Sequence, residues 1–443
     1  MNRTSRGDAS YAAALAGRDF RAIFAASTVA ITGSVVTAVA LTVEVFERTR
    51  SPLLSSLTFA LGFVPYVVGG TLLSGIVDRV PPRRLLACSN LGSAGLLAAM
   101  ALPGMPVTGL LALLVGTGTL TSISSGAQGG LVRSVVPEGS YVPARSLLRI
   151  SAQVAQIGGN AVGGALLAAV TPRGVFLISS AALAGAALIM RFGVTPRPAT
   201  GAADRTSLVR DSVRGLRTVL ANTGLRRLLL LGWLVPMFSV APEALAAPYV
   251  AGQGGSPALV GLWLAALPVG IVAGDLLGVL GLSPQRQRSI VGPAAGAFFV
   301  PYLVFLARPA IVVALPLLAG AGLCGMYSLG LDSLVRQAAP EHLFARTMAV
   351  NSAFLLTLQG LGFALAGGAA QLAGPAWAIA GAGACGLVTV IFLRPRGAEA
   401  ERPSAGGSVR PSRLRPVRSR PEAARVKSTG PGCLRACRRR VRR

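Results

Sequence analysis

Ser74-Gly75-Ile76-Val77-Asp78-Arg79-Val80-Pro81-Pro82-Arg83-Arg84 sets one acid and three arginines between two strongly apolar runs. Each run is about 20 residues long, the length that carries a helix across a bilayer. A charged, proline-bearing turn in that position reads as a hinge between two membrane-spanning helices. The same alternation of apolar run and short polar turn continues along the chain to Leu393.

Composition agrees with that reading. The chain has 443 residues, 52% hydrophobic and 13% charged, with a mean hydropathy of +0.63. A soluble domain carries roughly 25% charged residues, so the expected fold class is an all-α membrane protein with about 12 transmembrane helices. Its 55 Gly and 29 Pro suit helices packed in lipid. The net charge of +27 would suggest nucleic acid if it were gathered on one face. Instead, 16 of the 42 Lys and Arg lie after Phe392, and nearly all the others flank apolar runs. That is how topology signals are distributed, so no nucleic-acid partner is expected.

Catalysis is not expected either. His342 is the only histidine, which leaves no Ser-His-Asp set, no HExxH and no metal cluster. No phosphate-cradling G-x-x-x-x-G-K-[ST] occurs, so neither a cofactor nor ATP is called for, and energy must come from a gradient. Cys88, Cys324 and Cys385 sit in apolar runs and read as small hydrophobes; Cys433 and Cys437 lie in the tail. No cleavable signal peptide is expected, because the first apolar run is too long and leads directly into a second.

The chain divides into an N-terminal segment (1–19), a first six-helix bundle (20–190), a linker (191–227), a second six-helix bundle (228–393) and a disordered basic tail (394–443). In the linker, Leu208, Val209, Val213, Leu216 and Leu220 recur at helical spacing opposite Arg210, Arg214 and Arg217, which predicts an amphipathic helix. With the N-terminus inside, inward-facing segments before the tail hold 22 Lys or Arg and the alternate loops four, Arg48, Arg50, Arg173 and Arg308. Both termini are therefore expected in the cytoplasm, the protein spanning the cell membrane many times.

The two bundles are related by an internal repeat. Leu131-Val132-Arg133 with Pro137-Glu138 recurs as Leu334-Val335-Arg336 with Pro340-Glu341. At the same offset Gln156, Gly159 and Gly164 fall on Gln359, Gly362 and Gly367. Two residues further on in offset, Arg21 falls on Arg226 and Ser51-Pro52 on Ser256-Pro257. Like-oriented halves of this kind suit a transporter that rocks about a midplane cavity.

These residues resemble the major facilitator superfamily. Its signature between helices two and three, G-x-L-a-D-r-x-G-r-k, is matched by Asp78 and Arg79 at the central D-r and by Arg83 at the final basic position. Ser74-Gly75 stand at the first glycine and Pro81-Pro82 replace G-r. The resemblance implies a conformational-switch loop of Gly75, Asp78, Arg79, Arg83 and Arg84, with Asp78 accepting hydrogen bonds at a facing helix N-terminus. Ser283 stands where the repeat would place a second such acid. Gly159-Asn160-Ala161-Val162-Gly163-Gly164 is similar to the G-P-x-x-G-G core of the antiporter signature of drug/proton exporters, with Asn160 in place of Pro. Gly159, Asn160, Gly163 and Gly164 form that glycine motif, which by packing alone allows close backbone approach. Over residues 18–393 the arrangement resembles the twelve-span branch of siderophore exporters and macrolide-efflux proteins. The run Leu110–Ser125 lacks the arginine that many proton-coupled exporters carry there, so their proton relay does not transfer.

Charges inside a membrane are functional candidates by default. Glu243 lies among Pro236, Pro242 and Pro248, Asp275 in the eighth run and Glu44 near the outer end of the first. A carboxyl group drawn out of water favours its neutral form, which makes these three the candidate proton-coupling groups; Glu44 reads first as an interfacial acid, and Asp275 equally as one member of an ion pair. Thr117, Thr121, Ser124, Gln153, Gln156, Asn351 and Gln359 form the candidate cavity lining, or else bond between helices. With few aromatics and no charge cluster, the cavity suits a mostly apolar, weakly polar organic compound. The expectation is a monomeric secondary transporter exporting a small organic compound (drug, antibiotic or other secondary metabolite) by proton antiport, its partners being the substrate, protons and the lipid bilayer. The alternative is an importer or facilitator of a sugar or other nutrient, against which stands the scatter of Trp233, Trp263 and Trp377.

Overall fold

The computed structural model describes residues 14–72, 80–137, 140–197, 223–339 and 344–393, all within one compact unit, Met1–Arg402. Gly75, Asp78 and Arg79, the expected amphipathic helix of the linker and the basic tail lie outside the described residues.

The described residues are helical throughout, with no strand among them. In the first half run α1 (Arg18–Thr49), α2 (Pro52–Leu72), α3 (Pro82–Met100), α4 (Val107–Val135), α5 (Tyr141–Ala169) and α6 (Pro172–Gly193). In the second run α7 (Thr223–Gly252), α8 (Pro257–Gly281), α9 (Val291–Ala307), α10 (Ile311–Ala338), α11 (Phe344–Ala373) and α12 (Pro375–Leu393). Eight of these helices are long and apolar enough to cross a membrane, while α2 and α9 contain shorter apolar helices. The other two, α3 and α5, carry Arg83, Arg84 and Asn90, and Arg145, Arg149 and Gln156. In lipid a backbone must satisfy its own hydrogen bonds, and helices do so within one segment.

Turn chemistry sets the boundaries. Pro82, Pro172 and Pro257 open α3, α6 and α8 from the first helical turn, where the missing N–H costs nothing. The Thr171 hydroxyl accepts from the Gly174 N–H at 3.4 Å ahead of α6, and α1 ends on Arg50 in the left-handed conformation with its N–H on Phe46 O. Both copies of the Ser-Pro repeat therefore start a helix, α2 in one half and α8 in the other.

Two helices outrun their apolar stretches. The fourth apolar run is expected to end near Ala127 and the fifth to begin near Leu147, yet α4 continues to Val135 and α5 starts at Tyr141. Hydropathy marks only the lipid-facing part of a helix, and the extra turns carry Arg133 and Arg145.

Within the first half α1 packs on α5 and α6, α3 on α4 and α6, and α2 on α4. Within the second α8 packs on α10, α9 on α12, and α7 on α11 and α12. Outward faces stay apolar: Leu372 is 91% exposed, Val312 81% and Leu280 78%. So much exposed hydrocarbon is stable against lipid and not against water. Cys88 and Cys385, read as small buried hydrophobes, are exposed on such surfaces.

Candidate functional site: a cavity closed by two seams

The halves meet along two seams, α2 against α11 and α5 against α8. Each seam involves the first turns of α2 or α8 and the last turns of α11 or α5. Both therefore lie at the end of the bundle marked by Ser51-Pro52 and Ser256-Pro257, away from Arg83 and Arg84.

Contacts in one seam reappear in the other under the repeat. A Cβ on Gly164 would lie 2.6 Å from Ala258 O and 2.8 Å from Gly261 Cα. Its repeat-mate Gly367 meets Leu53 and Ser56, the repeat-mates of Ala258 and Gly261. Only a residue without Cβ allows the backbones so close. One turn deeper the Asn160 Nδ2 donates to Leu264 O at 3.0 Å. The corresponding pair, Phe363 and Phe59, stacks with centroids 5.0 Å apart. Ser51 Oγ on Gln371 at 2.9 Å completes the α2–α11 seam.

A proline explains the Asn160 bond. Pro268 lies four residues after Leu264 inside α8 and has no N–H to offer the Leu264 carbonyl. The Asn160 amide supplies the donor from the other half of the molecule, and a buried carbonyl is paired that would otherwise cost about 1–3 kcal/mol.

Below the seams lies a cavity of about 500 Å³, within the usual range for small-molecule sites. From α1 it takes a stripe at helical spacing that includes Ser27 and Ser34; α4 contributes Thr121, Ser124, Ser125 and Gln128 on one face. Asn90 and Ser93 come from α3, Gln156 and Asn160 from α5, and Gln359 and Phe363 from α11. Phe59 and Phe63 of α2 form the aromatic roof with Phe363. The lining extends to Met190 near the end of α6, towards the arginine-rich loops.

Among the described residues Glu243 is the one ionisable side chain in this lining. It stands where α7 is interrupted, on the short helix Ala241–Ala244 between Thr223–Ser239 and Ala246–Gly252. The expected cluster of prolines thus coincides with broken helix. Carbonyls at the interruption are taken by side chains of the same half: Trp263 Nε1 donates to Pro242 O at 2.7 Å and the Tyr302 hydroxyl to Ser239 O at 2.8 Å. Irregular backbone at membrane depth is tolerated where neighbours re-satisfy it in this way.

Of the seven expected lining residues, Thr121, Ser124, Gln156 and Gln359 are in the cavity wall. Thr117 bonds Leu114 O at 2.8 Å, Gln153 is exposed on α5, and Asn351 accepts from Trp233 Nε1 at 2.8 Å. These three lie outside the lining, since hydropathy alone does not say towards which neighbour a polar side chain turns. Glu44 pairs with Arg48, which also donates to Met105 O at 2.7 Å, and so belongs to the loops at the seam end. Asp275 is also outside the lining. It lies eleven residues after Leu264 as Arg149 lies eleven before Asn160, which puts the two on facing sides of the antiparallel α5–α8 pair about 16 Å from the Asn160 bond. Arg149 acts electrostatically on both Asp275 and Asp332, while one Asp275 carboxylate oxygen is buried with no hydrogen-bond partner among the described residues.

The glycine motif faces two neighbours. Gly159 and Gly163 abut Val35 and Val39 of α1, and Gly164 abuts α8. Arg83 is half-buried and Arg84 exposed in the first turn of α3. Sequence reasoning missed Asn90, Gln128 and the roof of phenylalanines. The repeat held a signal for the roof, because Phe363 occupies the place of Asn160.

Comparisons with known proteins agree with this architecture. Residues 23–355 match the Major Facilitator Superfamily. Among curated proteins no match emerges. A bacterial homologue of the human lysosomal transporter Spinster, inward-facing and unoccupied, superposes with a TM-score of 0.61 at 17% identity, covering 86% of this chain and 96% of that one. A D-xylose–proton symporter gives 0.64 at 14% identity over 86% and 98%. A nucleoside transporter gives 0.66 at 11% identity over 84% and 98%. At such identities the likenesses speak for the fold. Family match, paired halves and central cavity together place the chain in the major facilitator superfamily, whose members move small molecules across membranes and are not enzymes.

Proposed function

We propose that this protein exports a small organic compound, a drug, antibiotic or other secondary metabolite, across the cell membrane in exchange for protons. The observation that carries the reading is Glu243: a lone carboxyl group on interrupted helix, facing a cavity shut at one end by two seams. A carboxyl group so placed can hold a proton in one step of a cycle and release it in the next. With both termini in the cytoplasm, the arginine-rich end faces inward and the seams close the outer side. The described state is then inward-facing, ready to load substrate from the cytoplasm. Rocking of the two halves about the cavity gives alternating access. Because a single chain forms the whole cavity, the working unit is a monomer.

Export is further supported by the glycine motif, whose Gly159, Gly163 and Gly164 sit at the contacts of α5 with α1 and α8. Among the described residues no tryptophan lines the cavity, which weighs against a sugar importer. The test is accumulation of a compound panel in cells expressing wild type or Glu243→Gln, with and without a proton gradient. Gradient-dependent efflux by wild type is expected to fall to background in the variant. Unchanged efflux in Glu243→Gln would remove this residue from coupling, and net uptake by wild type would reverse the direction.

A further inference from the structure

The hydrogen-bonding polarity of the cavity is lopsided. Ser34, Thr121, Ser124 and Ser125 each give their hydroxyl proton to a carbonyl of their own helix, at 2.8–2.9 Å. A hydroxyl spent in this way shows only acceptor lone pairs to a ligand. The Ser27 hydroxyl accepts from Gln128 Nε2 at 2.7 Å and so keeps its own proton, a donor set against these four acceptors, while Asn160 has committed one amide N–H to Leu264. Glu243 adds two more acceptor oxygens, and among the described residues no Lys, Arg or His lines the space. The amides of Asn90, Gln156 and Gln359 can turn either way. Overhead, Phe59, Phe63 and Phe363 offer π faces, which attract cations.

We propose that the substrates are organic cations bearing N–H groups: amines protonated in the cytoplasm, carried on an apolar or aromatic body. Such a molecule places its donors on the α4 and α1 hydroxyl oxygens, its charge near Glu243 and its rings beneath the phenylalanines. A carboxylate or phosphate would instead meet a wall of lone pairs with no cation to answer it. The inference rests on the cavity being the substrate site, but not on the direction of transport.

Two planar dyes separate the terms. Proflavine carries two free amino groups on a cationic tricycle; acridine orange is the same cation with both amino groups dimethylated and is the more apolar of the two. Fluorescein supplies a planar anion. Binding is measured by fluorescence anisotropy on the full chain in lipid nanodiscs. Proflavine is expected to bind about tenfold more tightly than acridine orange, because the dimethylated dye leaves acceptors unpaired. Glu243→Gln weakens proflavine by a similar factor, about tenfold, and Ser124→Ala weakens proflavine without affecting acridine orange. Acridine orange binding as tightly as proflavine, or fluorescein binding at all, overturns the inference. If the two cations bind equally and Gln359→Leu abolishes both, the N–H selectivity is wrong and the cavity remains the substrate site. If neither binds, or binding ignores Gln359→Leu, both readings fall.

Discussion

Replacing Gly164 by alanine tests whether the α5–α8 seam holds the described state. The added Cβ would stand 2.6 Å from Ala258 O and 2.8 Å from Gly261 Cα, and both are backbone atoms. Neither can swing aside, so α5 and α8 must part by roughly 0.5–1 Å to reach ordinary contact, and overpacking on that scale costs about 1–3 kcal/mol. The same displacement takes the Asn160–Leu264 bond from 3.0 Å to the edge of hydrogen-bonding distance, which adds about 1 kcal/mol. The strain exists only while this seam is shut. A penalty of about 3 kcal/mol therefore shifts the population towards the opposite state by a factor of about 100. The assay is a spin-label distance measurement in nanodiscs between Arg173→Cys and Gln253→Cys, exposed positions at the seam end of the two halves, in a background without the native cysteines. Longer distances should dominate in Gly164→Ala. Gly158→Ala, on the same helix with nothing within 4 Å of its new Cβ, serves as the control. A wild-type distance distribution in Gly164→Ala, or an equal shift in Gly158→Ala, would refute the reasoning.

Three further outcomes are expected. Pro268→Ala gives α8 its own N–H for the Leu264 carbonyl, so thermal unfolding should move up while the label distances lengthen, the Asn160 bond being worth about 1 kcal/mol; a lower melting temperature with unchanged distances would contradict this. Arg149 and Asp275 face each other at the open end of the α5–α8 pair, where they would meet once that end closes. Arg149→Asp or Asp275→Arg alone should slow transport up to roughly fivefold, and the double exchange should restore it; a double variant no better than either single one removes the pairing. Asp78→Asn should reduce transport with normal membrane expression, and full activity in that variant would make the charged turn a topology signal only.

Much of the architecture was legible because lipid imposes simple rules on sequence. Apolar run length marked the helices, arginine placement gave the expected orientation, and the repeat paired Gly164 with Gly367 before any coordinate did. The helix extensions at Arg133 and Arg145 were not legible, since charged residues prolong a helix without adding hydropathy. The cavity was read in part. Thr121, Ser124, Gln156 and Gln359 were visible as polar letters in apolar runs, but so were Thr117, Gln153 and Asn351. What separates the two groups is the azimuth of each side chain about its helix and the identity of its neighbour. Asn160 stood out as a departure from a glycine-proline motif; its partner required Pro268, more than a hundred residues away, to be read together with it.

The two seams share a shape and differ in material. One is closed by stacked phenyl rings, Phe59 on Phe363, and the other by an amide on a carbonyl. Stacked rings impose no single register, whereas the Asn160 amide must stay in line with one carbonyl. The α2–α11 seam can therefore slide as it opens, while the α5–α8 seam keeps its register until its hydrogen bond breaks. The two sides of the closure do not yield together.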